Sequence, residues 1–182
     1  MTNKETNESR AGSSGEYELY IMRHGIAVER AATTVMDDAK RPLTPEGKQK
    51  MRDIASGLVR AGLEADWIVS SPLVRSVETA EIVGEAQSSK PPMDLCDALA
   101  PGCDPQALIT FLAKRPNRRR VVVVGHEPDM GELAARLIGA GRNANVPFKK
   151  GGCCLVTFSE FPPKAPGRLV WWLSPRILRK LA

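Results

Sequence analysis

Short apolar runs alternate with amphipathic stretches along the chain. Five of these runs are rich in β-branched residues and predict buried strands, at residues 19–22, 67–69, 121–124, 153–158 and 169–173. Helical patterns separate the first three runs, and strands that alternate with helices indicate an α/β domain with a mostly parallel sheet. A loop rich in Pro and Gly joins the last two runs, which are candidates for an antiparallel pair.

Five stretches predict helices from their capping residues and the spacing of their apolar positions. Thr44 and Pro45 open the first as N-cap and first helical residue, and Gly62 ends it. The others are expected from 71–72 to about 84, from 104–105, from 127–128 to the glycines at 139 and 141, and over 175–181.

The composition is that of one soluble domain. Of the 182 residues, 42% are hydrophobic and 26% charged, and no apolar run is long enough to span a bilayer. Residues 1–16 are polar and lack the apolar core of a secretory signal, so we expect a disordered tail there and a folded domain over 17–182. The four cysteines form no C-x-x-C pair, which argues against a disulfide scaffold or zinc knuckle and favours the cytoplasm.

The net charge of +5 favours anionic partners in a general way. We interpret the sharpest basic run, 118–120, as a solvated rim before a strand. Nucleic-acid binding is the weaker alternative, because no aromatic residues interleave with these arginines. We therefore expect neither a nucleic acid nor a membrane as a partner.

Both histidines of the chain follow predicted strands. His24 comes directly after the first strand, beside Arg23, and His126 follows the third. Arg75 lies in the first turn of the helix after the second strand, and helical side chains lean toward the N-terminus of their helix. Because ligands bind beyond the carboxyl ends of parallel strands, we expect these four side chains to meet there.

Two arginines and two histidines together indicate a phosphate pocket. The guanidinium groups of Arg23 and Arg75 can bind phosphoryl oxygens bidentately and keep their charge. His24 is the better nucleophile, since a neutral imidazole can attack phosphorus if a backbone acceptor holds its other nitrogen, and Gly25 permits a tight turn. His126 would donate to the phosphoryl oxygens. Two histidines without a Cys or carboxylate cluster fall short of a metal site, so no metal is expected.

Three segments around these residues resemble the motifs of the histidine phosphatase superfamily, which has the phosphoglycerate mutase-like fold. They are 20–25 (YIMRHG), 70–80 (SSPLVRSVETA) and 123–128 (VVGHEP), and the resemblance covers essentially 17–182. It implies a three-layer α/β/α sandwich with a mostly parallel central sheet. It also implies that His24 is transiently phosphorylated, that Arg23, Arg75 and His126 bind phosphate, and that no metal or other cofactor takes part.

Local features are most similar to the compact SixA-type phosphohistidine phosphatases. These features are 41–44 (RPLT), 99–102 (LAPG) and 171–175 (WWLSP). This resemblance implies a phosphoric monoester or phosphoramidate hydrolase that removes phosphate from phosphohistidine on a protein. Mutase-type relatives carry a longer insertion after the second motif, whereas residues 87–104 form a brief link here. We therefore expect no large cap and no deep sugar-phosphate pocket.

The general acid is open between two carboxylates. Asp97 lies in about the right stretch, and Glu127 follows the second histidine, although Glu127 could equally cap the helix that begins at Pro128. A serine alkoxide needs a positioned proton to leave, whereas an imidazole with a pKa of roughly 6.5 departs easily once protonated. An open site with a weakly specified acid therefore favours a P–N bond in a protein substrate.

Two other functions stay open from the sequence. One is a broad phosphomonoesterase for small phosphorylated substrates, and the other is a non-catalytic binder of phosphorylated proteins. The intact set of Arg23, His24, Arg75 and His126 argues against the binder, because degenerate relatives usually lose the nucleophile. The expected partner is thus a phosphorylated protein or a small phosphorylated substrate.

Overall fold

The computed structural model describes residues 16–29, 37–102, 104–141, 144 and 146–182. The expected N-terminal tail lies outside the described residues, apart from Glu16, and so does Cys103. The other three cysteines, Cys96, Cys153 and Cys154, are buried.

A six-stranded sheet forms the centre of the molecule. Its strands are β1 (Tyr17–Arg23), β2 (Trp67–Ser70), β3 (Met93–Leu95), β4 (Arg120–Gly125), β5 (Cys153–Phe158) and β6 (Arg168–Leu173). They lie in the order β3-β2-β4-β1-β5-β6. The first four are mutually parallel, while β5 runs antiparallel to both β1 and β6. The predicted antiparallel pair at the end of the chain is confirmed.

The prediction missed β3, because this edge strand has no apolar run. It is only three residues long, and its sequence Met-Asp-Leu is polar at the centre and not fully buried. The other five strands lie where the apolar runs predicted them, extended by one or two residues at some ends.

Five helices flank the sheet: α1 (Pro45–Arg60), α2 (Val74–Glu85), α3 (Pro105–Ala113), α4 (Asp129–Leu137) and α5 (Pro175–Leu181). The N-cap predictions hold for α1 and α3, where Thr44 and Asp104 accept hydrogen bonds from the first-turn backbone. The expected start of α2 at 71–72 is wrong, since the helix begins at Val74. The Ser71 hydroxyl instead accepts from Leu73 N at 3.3 Å, in the loop that leads into the helix.

Two apolar clusters, one on each face of the sheet, make the protein a three-layer α/β/α sandwich. On one face α1, α2 and α5 contribute Met51, Ile54, Leu58, Ala80, Val83 and Leu178. On the other face α3 and α4 contribute Leu108, Leu112, Met130, Leu133 and Leu137. Strand side chains alternate between the clusters, as the period of two requires, so Trp67 joins one and Ile68 the other.

The link between α2 and α3 is short, as expected. Within its described residues it contains only β3 and one 3₁₀ turn, Asp97–Leu99, so no large cap covers the sheet edge. In the described part of the chain, no helix is both long and apolar enough to cross a membrane.

Candidate active site

The four side chains singled out by the sequence converge at the carboxyl ends of β1, β2 and β4. Arg23 ends β1 opposite Gly125 of β4, and His24 N donates to the Gly125 carbonyl oxygen at 3.0 Å. This pairing brings the residues that follow both strands side by side. The ring centroids of His24 and His126 are accordingly 5.0 Å apart.

The His24 ring is held in one tautomer. Its Nδ1 lies 2.7 Å from the Gly25 carbonyl oxygen, which can only accept, so Nδ1 carries the hydrogen and Nε2 carries the lone pair. Arg75 Nε donates to this Nε2 at 3.3 Å. Burial, and then the charges of His126 and the two arginines, lower the pKa of His24 to about 3, although the Gly25 hydrogen bond opposes the shift.

Gly25 is required by packing rather than by a special backbone conformation. A Cβ at this position would lie 2.6 Å from Cγ of Met51, which belongs to the core beneath α1. Its φ is outside the left-handed region, so the expected tight turn around the ring is not the reason for glycine here. Close approach of α1 to the site is the physical cause.

His126 is held by two serine hydroxyls that sequence reasoning did not single out. Its Nε2 lies 2.8 Å from Ser71 Oγ and 3.3 Å from Ser76 Oγ, and both serines are fully buried. Burial and the charge of Arg75 lower the pKa of His126 to about 4. The sequence signal was present, because both serines lie in the segment 70–80 and Ser76 directly follows Arg75.

Two buried polar atoms of the site have no hydrogen-bond partner among the described residues. They are Arg23 Nε and His126 Nδ1. The Arg23 side chain is anchored at its far end, where Nη1 donates to the Phe148 carbonyl oxygen at 2.7 Å. A buried polar atom without a partner is costly, so two such atoms in this site indicate a place for a polar ligand.

The remaining polar residues of 70–80 build the site rather than line it. Thr79 Oγ1 accepts from Gly25 N at 3.0 Å and thereby fixes the residue that holds the His24 ring. Glu78 accepts from Leu43 N and from Lys48 Nζ, both at 2.6 Å, and ties α2 to the start of α1.

The two acid candidates differ in their surroundings. Glu127 Oε1 accepts from Phe148 N at 2.9 Å, and the carboxylate also bonds the backbone of Gly131 in the first turn of α4. Burial raises the pKa of Glu127. These bonds are those of a helix cap that also fixes the Phe148 turn. Asp97 lies exposed in the 3₁₀ turn after β3.

Among the described residues, no group of three or more His, Cys, Asp or Glu side chains is arranged to hold a metal ion. Two side chains of the basic run 118–120 are engaged with residues that precede β2. Arg118 Nη1 donates to the Asp66 carbonyl oxygen at 2.8 Å, and Arg120 Nη1 pairs with Glu64 at 2.7 Å.

Comparison with known proteins decides the family. A sequence profile of the histidine phosphatase superfamily (branch 1) matches residues 19–100. An uncharacterized protein of Picosynechococcus sp. (strain PCC 7002) is 36% identical over 138 residues, 74% of this chain and 81% of its own. The chain belongs to the histidine phosphatase superfamily. Within it, the phosphohistidine phosphatase SixA of Escherichia coli K12 is 29% identical over 87% of this chain and 94% of its own.

Solved structures of this superfamily agree with the sequence comparison. The protein histidine phosphatase SixA complexed with tungstate superposes with a TM-score of 0.73 at 28% identity, covering 88% of this chain and 99% of its own. A structure described as SixA from Agrobacterium tumefaciens has the same fold, with a TM-score of 0.72 at 21% identity, over 87% of this chain and 98% of its own. The chain is thus a histidine phosphatase of the SixA type, a hydrolase.

Proposed function

We propose that this phosphatase removes the phosphoryl group from phosphohistidine on a protein, through a covalent intermediate on His24. The observation that carries the proposal is the fixed lone pair on His24 Nε2, with Arg75 Nε 3.3 Å away and two unpartnered buried nitrogens, Arg23 Nε and His126 Nδ1, in the same site. A neutral, oriented nucleophile among phosphate-binding groups suits covalent phosphoryl transfer.

In the first step, Nε2 of His24 attacks phosphorus while the P–N bond to the substrate imidazole breaks. The leaving imidazole keeps the electron pair and takes a proton from solvent. Arg23, Arg75 and His126 hold the phosphoryl oxygens in this step. In the second step water attacks phosphorus, the bond to Nε2 breaks, and phosphate leaves while a proton returns to solvent.

The depressed pKa values of the two rings support these roles. With a pKa of about 3, His24 is neutral at physiological pH and needs no base to become a nucleophile. His126 starts neutral as well, with a pKa of about 4. A bound phosphoryl group would favour its charged form and raise that pKa, so His126 would then donate from Nδ1.

Two features support phosphohistidine as the substrate. No large cap stands over the site in the described residues, so the pocket can admit a side chain displayed on another protein. The surroundings of the acid candidates are the second feature, since Glu127 accepts from the backbone of Phe148 and Gly131 and Asp97 is exposed. The similar protein SixA of Escherichia coli is named a phosphohistidine phosphatase. A SixA structure was determined in complex with tungstate, an oxyanion that resembles phosphate.

A substrate panel tests this proposal. We would compare kcat/KM for a phosphohistidine protein, a phosphoserine peptide, an aryl phosphate and a sugar phosphate, with His24→Ala as the background. The proposal predicts the highest value for the phosphohistidine protein. A kcat/KM for the sugar phosphate equal to that for the phosphohistidine protein would identify a broad phosphomonoesterase instead. Binding without turnover of any substrate would identify a non-catalytic phosphoprotein binder.

A further inference from the structure

Arg75 is bound by a carboxylate that belongs to none of the motifs. Asp38, in the 3₁₀ turn Asp38–Lys40, accepts from Arg75 Nη1 through its backbone oxygen at 2.7 Å. Its Oδ2 accepts from Nη2 at 3.1 Å. Both terminal nitrogens of this side chain, which is 5% exposed, thus bond one residue, while its Nε donates to His24 Nε2.

Asp38 is itself fixed by a second arginine. Its Oδ1 lies 2.8 Å from Arg41 Nε and 2.7 Å from Arg41 Nη2. Arg41 Nη1 in turn donates to the Val28 carbonyl oxygen at 2.6 Å. One carboxylate therefore bridges two guanidinium groups, and Arg41 connects this pair to the backbone of Val28, in the segment that follows β1. Such bidentate, charge-assisted contacts give an orientation that a single hydrogen bond cannot.

Asp38 is ionised throughout the working pH range. Partial burial raises its pKa, but the hydrogen bonds and charges of Arg41 and Arg75 outweigh this and lower the pKa to about 2. Asp38 is consequently no proton donor. Its charge also reaches the second histidine, where it raises the pKa of His126 against the larger lowering effects of burial and of Arg75.

We propose that Asp38 is a positioning residue, which clamps the end of the Arg75 guanidinium so that its Nε edge meets a phosphoryl group on His24. The proposal rests on the proposed role of His24 as phosphoryl acceptor. A guanidinium bonded at both terminal nitrogens cannot swing about its long stem. Its Nε–H therefore stays beside the nucleophile, where charge develops on the transferring oxygens.

The negative charge of Asp38 should weaken phosphate binding, and this effect makes the proposal testable. The Asp38 carboxylate repels a phosphate dianion and weakens the attraction of Arg75 for it. Removing only the charge should therefore strengthen ground-state anion binding while orientation in the transition state is lost. Substitution of a residue that merely supports the fold would not strengthen anion binding while lowering kcat.

The experiment uses three variants of the full chain. Asp38→Asn keeps the backbone oxygen on Nη1 and removes the charge. Asp38→Glu keeps the charge on a longer side chain. Asp37→Asn is the matched control, because the neighbouring Asp37 carboxylate caps Ala39 N at 3.0 Å. We would measure kcat and KM on an aryl phosphate, the inhibition constant of inorganic phosphate, and the thermal midpoint of each variant.

We expect Asp38→Asn to lower kcat about tenfold to a hundredfold and to lower the inhibition constant of phosphate. Asp38→Glu should keep kcat low and restore the wild-type inhibition constant, and Asp37→Asn should match wild type. A kcat for Asp38→Asn within twofold of wild type would overturn the proposal. A rise in kcat/KM would also overturn it, because the Asp38 carboxylate would then only compete with the phosphoryl group for Arg75.

Failure of this proposal and failure of the proposed function give different results. His24→Ala, measured in parallel, decides by itself whether His24 accepts the phosphoryl group. The binding constant of tungstate, measured by calorimetry, reports on Asp38 without turnover. Weaker tungstate binding by Asp38→Asn would contradict the electrostatic argument even if His24 is the acceptor.

Discussion

Nε of Arg75 lies 3.3 Å from Nε2 of His24, in a ring whose Nδ1 is 2.7 Å from the Gly25 carbonyl oxygen. The backbone bond leaves the lone pair on Nε2, which is the nucleophile in the proposed mechanism, with Arg75 beside the phosphoryl oxygens. In that mechanism, orientation and charge are both in place before a substrate arrives.

The protonation state of both rings can be observed directly, because the chain contains only two histidines. We predict that neither ring titrates between pH 5 and pH 8 by imidazole ¹⁵N NMR. The sign follows from the lowered pKa values of about 3 and about 4, which keep both rings neutral well below the usual midpoint near 6.5. Titration of either ring near pH 6.5 would contradict this.

Bound phosphate should change one of these rings. We predict that saturating inorganic phosphate raises the pKa of His126, since the anion favours the protonated form of a nearby imidazole. The shift should appear in the same NMR titration, with His126→Ala used to assign the signals. An unchanged His126 signal in phosphate would show that its Nδ1 does not face the anion.

The serine contacts of His126 predict a graded effect. Ser71→Ala should lower kcat/KM by about fivefold to tenfold, the worth of roughly one hydrogen bond, and Ser76→Ala should do less because its contact is longer. Ser70→Ala is the matched control, since this buried hydroxyl donates only to the Ser71 backbone oxygen among the contacts of the described residues. Equal losses in all three would indicate a general packing effect.

Varying the leaving group of the substrate tests whether Glu127 acts as a helix cap or as the general acid. We expect Glu127→Gln to lower kcat/KM by a similar factor on phosphohistidine, aryl and alkyl phosphates, because its carboxylate fixes the Phe148 turn that holds Arg23. Alkyl phosphates should be slower overall by about two to four decades, the usual worth of a general acid. A loss confined to alkyl phosphates would identify Glu127 as the acid, and Asp97→Asn tests the other candidate likewise.

Chelators are predicted to leave activity unchanged. The positive charge that a metal would supply comes from Arg23 and Arg75, with His126 added once it is protonated. Activity would be measured on an aryl phosphate before and after EDTA treatment. Loss in chelator that one particular divalent ion restores would contradict the prediction.

The sequence predicted those parts of the site that are carried by strong local patterns. Apolar runs placed β1 and β4, and a residue that follows such a run must lie at the sheet edge, so the positions of His24 and His126 could be inferred. The polar edge strand β3 had no such pattern. Asp38 was missed for another reason, because its contact with Arg75 spans 37 residues and no local periodicity predicts it.

The central claim is that His24 carries the phosphoryl group during turnover, and rapid-quench mass spectrometry tests it most directly. Wild-type protein, mixed with a phosphohistidine protein or an aryl phosphate and quenched at alkaline pH, should carry one phosphoryl group on the peptide that contains His24. His24→Ala should carry none, remain folded and show no turnover. Steady turnover without phosphorylated His24, or His24→Ala activity within about tenfold of wild type, would contradict the account.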